Sequence, residues 1–290
     1  IFYWVLFTAA VGIAVLFVLL TNSVYQLAIP ALKEFGFKFF FSNEWDPVLD
    51  EYGALSAVFG TLYSCLIALM ISVPVAVGAA LFLTEVSKKW IGAAIGFLVE
   101  MLAAIPSVVY GLWGIFVLAP WLRSDVQPFF SKYFGFLPIF KGPAYGVGMM
   151  AAGIILAIMI LPTICTITRE VFRAIPLTQR EAALALGATR WEMMRVAVLG
   201  AGKSGILGAV ILGFGRALGE TMAVAMVIGN RHEMSASLFS PGQTMASLIA
   251  NEYAEAASSL HLSSLAAVGF GLFAVSLFTN VLGRWVAHRI

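Results

Sequence analysis

The chain has 290 residues, of which 61% are hydrophobic and 11% charged, with a mean hydropathy of +0.96; soluble domains carry about 25% charged residues, so this composition excludes one. The net charge of +2 is too small to mark a nucleic-acid binder. Cys65 and Cys165 lie far apart in apolar runs without histidine neighbours, which excludes a disulfide framework and a zinc site and makes both small core residues.

A helix crossing the hydrocarbon core needs about 20 apolar residues, and that yardstick predicts six spans, at 1–20, 55–83, 91–121, 145–168, 206–228 and 264–286. The first run is longer than a signal-peptide core and has no clear cleavage site after it, so it is read as a transmembrane helix. The third is too long for one straight crossing and contains Pro106, which predicts a kink or break there. Pro74 and Pro162 predict bends in the second and fourth spans. Lysine and arginine cluster in the segments after spans two and four, at Lys88, Lys89, Arg169, Arg173, Arg180, Arg190, Arg195 and Lys203, and again at Arg284 and Arg289. The positive-inside rule then predicts both termini in the cytoplasm.

The segment at 176–195 reads as two short helices around a tight turn. Thr178 with Glu181, and Thr189 with Glu192, have capping-box spacing, and Gly187 suits the left-handed residue that ends the first helix. Leu184, Leu186, Trp191 and Met194 cannot all be buried in so small a unit, which predicts packing on the membrane domain or on a partner.

Arg216 and Glu220 fall inside the fifth apolar run. A charge at that depth costs roughly 2.5–3.5 kcal/mol on insertion scales, and a spacing of four puts both side chains on one helical face. Gly215 and Gly219 form a small-xxx-small pair for close helix approach. Two readings fit. The pair neutralises itself and fixes helix register, with Glu100 of the third span joining the network, or the guanidinium serves an anion pathway, for which its fixed fork suits tetrahedral oxyanions. Residues 197–204 nearly spell a phosphate-binding loop, but position 197 is alanine and no strand precedes it. His232-Glu233 begins a zinc-protease pattern that has no second ligand, and His261 stands alone in the sequence.

Here the chain resembles a known family. Glu181-Ala182-Ala183, three residues, then Gly187 resembles the EAA loop by which bacterial ABC importer permeases dock on their ATPase subunits, although Ala197, Val198, Leu199 and Gly200 stand where that family ends the loop in Ile-x-Leu-Pro. Gly215-Arg-Ala-Leu-Gly-Glu-Thr-Met-Ala-Val224 is similar to the phosphate permeases in particular. Trp45-Asp-Pro47 and Leu102-Ala-Ala-Ile-Pro-Ser-Val-Val-Tyr-Gly-Leu-Trp-Gly114 are similar to their PstC-type member. The resemblance implies an all-α integral membrane protein with six transmembrane helices in a MetI-like permease fold, one domain over 1–290 with the EAA coupling segment at about 176–200. It implies phosphate import across a bacterial or archaeal cytoplasmic membrane, with another oxyanion such as sulfate or molybdate as the alternative substrate. The implied partners are a PstA-type permease, two PstB-type ATPases that use ATP and magnesium, a PstS-type phosphate-binding protein and membrane lipid, without nucleic acid and without a cofactor or catalytic site on this chain. Arg216 and Glu220 would line the pathway with Glu100 in support, and Glu181, Ala182, Ala183 and Gly187 would couple to the ATPase.

Overall fold

The computed structural model describes residues 2–289, and these are mostly helical. Helix α1 (Phe2–Phe35) leads through a 3-10 turn, Gly36–Phe40, into a small antiparallel hairpin, β1 (Trp45–Asp46) with β2 (Glu51–Tyr52). Helix α2 (Leu55–Leu81) ends in a π turn, Phe82–Val86. Next come α3 (Lys89–Ala104) and then a second arm, Ser107–Phe134, made of α4 (Ser107–Trp113), α5 (Ala119–Trp121) and α6 (Gln127–Phe134) joined by π turns. Helix α7 (Met149–Ala174) precedes α8 (Leu177–Ala185), and α9 (Arg190–Met193) continues through a π turn into α10 (Gly200–Leu218). The chain closes with α11 (Met222–Val227), α12 (Met245–Glu252) and α13 (Ser259–Arg289).

Five helices are long and apolar enough to cross a membrane, and the bent pair α3 and 107–134 makes a sixth. The break expected at Pro106 in the third span is present. The span breaks at Ile105-Pro106 with a bend of 92°, because proline removes a backbone donor and pushes the residue before it into extended geometry. The Tyr110 hydroxyl reaches across the break to the Leu102 carbonyl at 2.8 Å and fixes the turn. At 1.5 Å per residue the second arm alone is about 40 Å long, enough to cross the hydrocarbon. By contrast α2 and α7 run through Pro74 and Pro162 as continuous helices.

The larger core gathers around α7, whose Ile155, Leu156, Ile160, Ile164 and Phe172 are almost fully buried. Small residues let α10 approach it. A Cβ on Gly213 would sit 2.7 Å from Ile164, and one on Gly205 2.5 Å from Val171. These glycines, rather than the predicted Gly215 and Gly219, form the close-packing stripe. Gly215 has open space where a side chain would be, and both it and Gly219 line an open groove of about 740 Å³ between α1, α10 and α13.

A second core ties α1 and α13 to the hairpin, and it corrects the reading of His261 as solitary. Glu252, at the end of α12, accepts hydrogen bonds from Trp45 Nε1 at 2.8 Å and meets His261 Nε2 at 2.9 Å and His232 Nε2 at 3.3 Å. His232 stacks on Trp45 and His261 on Tyr52. No group of residues among those described could hold a metal ion. Burial alone would raise the Glu252 carboxyl, but the hydrogen bonds from His232, Trp45 and His261 outweigh it and hold the group below its ordinary value of 4.5.

Two outcomes follow from this packing. Gly213→Val should destabilise the solubilised protein by about 1–3 kcal/mol through overpacking, seen as a lower thermal midpoint, whereas Gly208→Val, which meets open space, should not. Because its folded pKa is depressed, Glu252 contributes its full stabilisation above pH 4.5 and loses it as pH falls through the lower, folded value. Glu252→Gln should therefore flatten the acid limb of a midpoint-against-pH curve while lowering the midpoint at neutral pH.

Candidate functional site

Helix α10 carries Arg216 in its last turn and stops at Leu218, with Gly219 as its cap. The expectation that Arg216 and Glu220 share one helical face is corrected here. The chain leaves the helix between them, passing through Gly219 to Thr221 before α11 begins at Met222. Glu220 accepts a hydrogen bond from the Ala223 backbone at 3.3 Å, in the first turn of α11, where a carboxylate complements the free N–H groups of a helix start.

Arg216 is left with an exposed side chain, and its Nη1 donates to the Thr163 hydroxyl of α7 at 3.0 Å. Among the described residues no carboxylate lies within salt-bridge distance of it. A neutral hydroxyl orients a guanidinium without cancelling its charge, so the fork keeps donors free for an anion.

Glu100 does not join Arg216 either. It pairs with Arg169 of α7, whose side chain is 9% exposed, and Gly96 makes room for that guanidinium, since a Cβ there would collide with Nη1. The sequence placed Arg169 in a loop. It lies inside α7, buried, and joins α3 to it.

At the α8 end, Thr189 and Glu192 form the expected capping box and Gly187 takes a left-handed φ of +86°. The expected box of Thr178 with Glu181 is absent, because α8 begins at Leu177 after Pro176, which places Thr178 inside the first turn. Glu181 is thus freed from a capping role, and it is exposed beside Ala182 and the half-buried Ala183. The expected pair of short helices is also corrected. The second has no breaker after Met193 and runs on as one helix, Arg190–Leu218. Residues 197–204 therefore lie in a helix and form no phosphate loop. Leu177 (70% exposed), Leu186 (90%) and Trp191 (61%) stand in the open around the turn, while Met194 packs inward.

Two buried contributors escaped the sequence reading. Arg180 of α8 pairs with Glu85 at the end of α2 at 2.8 Å, with side chains 13% and 8% exposed. Arg180 was counted only as loop charge, and Glu85 carries no local signal beyond being an acid at the edge of an apolar run.

Residues 72–290 match the family described as binding-protein-dependent transport system inner membrane component. The phosphate transport system permease protein PstC of Mesorhizobium japonicum is 44% identical, with 98% of this chain and 88% of that protein covered. That of Xylella fastidiosa is 45% identical over 100% of this chain and 90% of its own length. The probable PstC of Methanocaldococcus jannaschii is 35% identical over 94% of this chain and 90% of its own. Among solved structures, a bacterial alginate ABC transporter chain superposes with a TM-score of 0.65 at 16% identity, covering 98% of this chain and 95% of that one. An inward-facing MetNI methionine ABC transporter chain gives 0.56 at 17%, covering 82% and 94%. At such identities the superpositions establish the fold alone, which is the MetI-like importer permease fold. With the family match spanning most of its length and relatives this similar end to end, the chain belongs to the binding-protein-dependent inner membrane transport components, among their PstC-type permeases.

Proposed function

We propose that this chain is the membrane-spanning subunit of an ATP-driven phosphate importer, and that Arg216 meets the anion midway. The observation that carries the pathway is a guanidinium exposed at the end of α10, oriented by Thr163 and without a carboxylate partner. The names of its PstC relatives support phosphate as the cargo. Phosphate is a tetrahedral oxyanion that Arg binds through paired donors, and a pathway must hold the ion long enough to admit it and weakly enough to release it. Glu220, spent on the start of α11, lies four residues away and would temper the local field rather than neutralise it.

In this reading the whole chain is one permease domain with its termini and the α8 turn in the cytoplasm, as the lysine and arginine distribution supports. The hairpin end then faces outward, toward a phosphate-binding protein. A second permease subunit completes the pathway, and two ATPase subunits, using ATP and magnesium, dock at Glu181, Ala182, Ala183 and Gly187 and over the exposed Leu177, Leu186 and Trp191. Glu100 is assigned to positioning α3 through Arg169 rather than to the pathway.

Arg216→Ala should abolish ATP-dependent uptake of radiolabelled phosphate into vesicles that contain the complete transporter, while the subunits still co-purify. Arg216→Lys should keep a fraction of the activity. Normal uptake by a well-assembled Arg216→Ala variant contradicts the pathway. Competition by sulfate or molybdate at phosphate's own concentration keeps the architecture and overturns the substrate.

A further inference from the structure

Helix α8 is short, with Leu177 and Leu184 exposed and no residue fully buried. Ala183 packs on the main core and the helix also touches the start of the Arg190–Leu218 helix, while its charged tie to α2 runs through one side chain. The Arg180 guanidinium turns back into the bundle and grips both oxygens of Glu85, Nη2 to Oε1 at 2.8 Å and Nε to Oε2 at 3.3 Å. The same group donates to the Phe172 carbonyl at 2.7 Å and to the Ile175 carbonyl. Glu85 belongs to the π turn that ends α2, and Phe172 and Ile175 close α7. The neighbouring helices α7 and α8 therefore meet α2, 95 residues away in the chain, at a single largely shielded cation.

The chemistry suits a rigid joint. The last carbonyls of a helix lack intrahelical partners and favour a cation, and a guanidinium can satisfy two of them while holding a carboxylate with its remaining edge. The ammonium of a lysine has neither the reach nor the planar fork to do both. Phe172 is buried and the two charged side chains are largely shielded beside an open pocket, so losing one partner leaves the other charge poorly answered. Helix α7 also carries Thr163, which orients Arg216. A push on the exposed face of α8 is thus delivered through Arg180 to α2 and α7 together, and along α7 to the level of the anion.

We propose that Arg180 and Glu85 are the transmission contact of this permease, positioning residues that convert displacement of α8 into movement of α2 and α7. The proposal rests on the reading that an ATPase subunit docks on α8, and it is independent of which anion is carried.

The test compares the complete transporter in proteoliposomes with Glu85→Gln, Arg180→Lys and Arg180→Gln variants and with the double variant Glu85→Gln/Arg180→Gln. Phosphate moved per ATP hydrolysed is read beside co-purification of the ATPase subunit. The expected result is retained co-purification and hydrolysis with the transport-to-hydrolysis ratio down about tenfold in each single variant, as befits loss of one partner of a buried pair. The double variant should be no worse than the poorer single one, since the two residues act as one contact. An unchanged ratio in Glu85→Gln overturns the proposal, as do hydrolysis and uptake falling in step, or loss of the ATPase subunit from Glu85→Gln, which would make the pair structural. Glu181→Lys separates the underlying reading. If that variant keeps both co-purification and stimulated hydrolysis, docking at α8 is itself wrong.

Discussion

A guanidinium cannot be left bare in hydrocarbon, and the architecture of this chain follows from how three of them are answered. All three involve α7. Arg169 lies within it and is neutralised by Glu100 of α3. Arg180 closes its end and joins it to Glu85 of α2. Arg216 reaches it at Thr163 and finds a hydroxyl instead of a carboxylate. Two of the charges are consumed in holding helices together, and the third keeps its charge. In the proposed reading, that asymmetry separates scaffold from pathway.

The packing supports the same division of labour. Gly205 and Gly213 bring α10 onto α7 with no room for a side chain, so the level of Arg216 is set by a close helix pair of the main core. Around this spine the surfaces are open. The first half of α1 is exposed throughout, and the turn after α8 shows Leu186 and Trp191 to the outside. At the other end the Glu252 cluster ties the hairpin to α12 and α13, so the loops there are held as a unit with the bundle.

What the sequence made legible was what local pattern controls. Apolar runs located the spans, Pro106 located the break, and Gly187 with Thr189 and Glu192 located the turn after α8. The angle of the break was not legible, because proline permits a bend while Tyr110 and the packing of both arms set it. The end of α10 was hidden for a related reason. Arg216 and Glu220 have helical spacing, and glycine is common inside membrane helices, so nothing local marks Gly219 as a terminus. The ion pairs were hidden by distance along the chain, 69 residues for Glu100 with Arg169 and 95 for Glu85 with Arg180. The union of His232 and His261 across Glu252 likewise depends on loops that only the tertiary fold brings together.

The account stands or falls on whether position 216 needs a positive charge or merely a well-packed side chain. Arg216→Cys in the assembled transporter decides this against the unsubstituted transporter treated alike, because this chain's native Cys65 and Cys165 are buried and a thiol at 216 is exposed. Treatment with a small cationic methanethiosulfonate should restore part of the ATP-dependent phosphate uptake, and a neutral reagent of equal size should restore none. Equal recovery with both reagents, or full uptake by the unmodified cysteine variant, would contradict an anion pathway through Arg216.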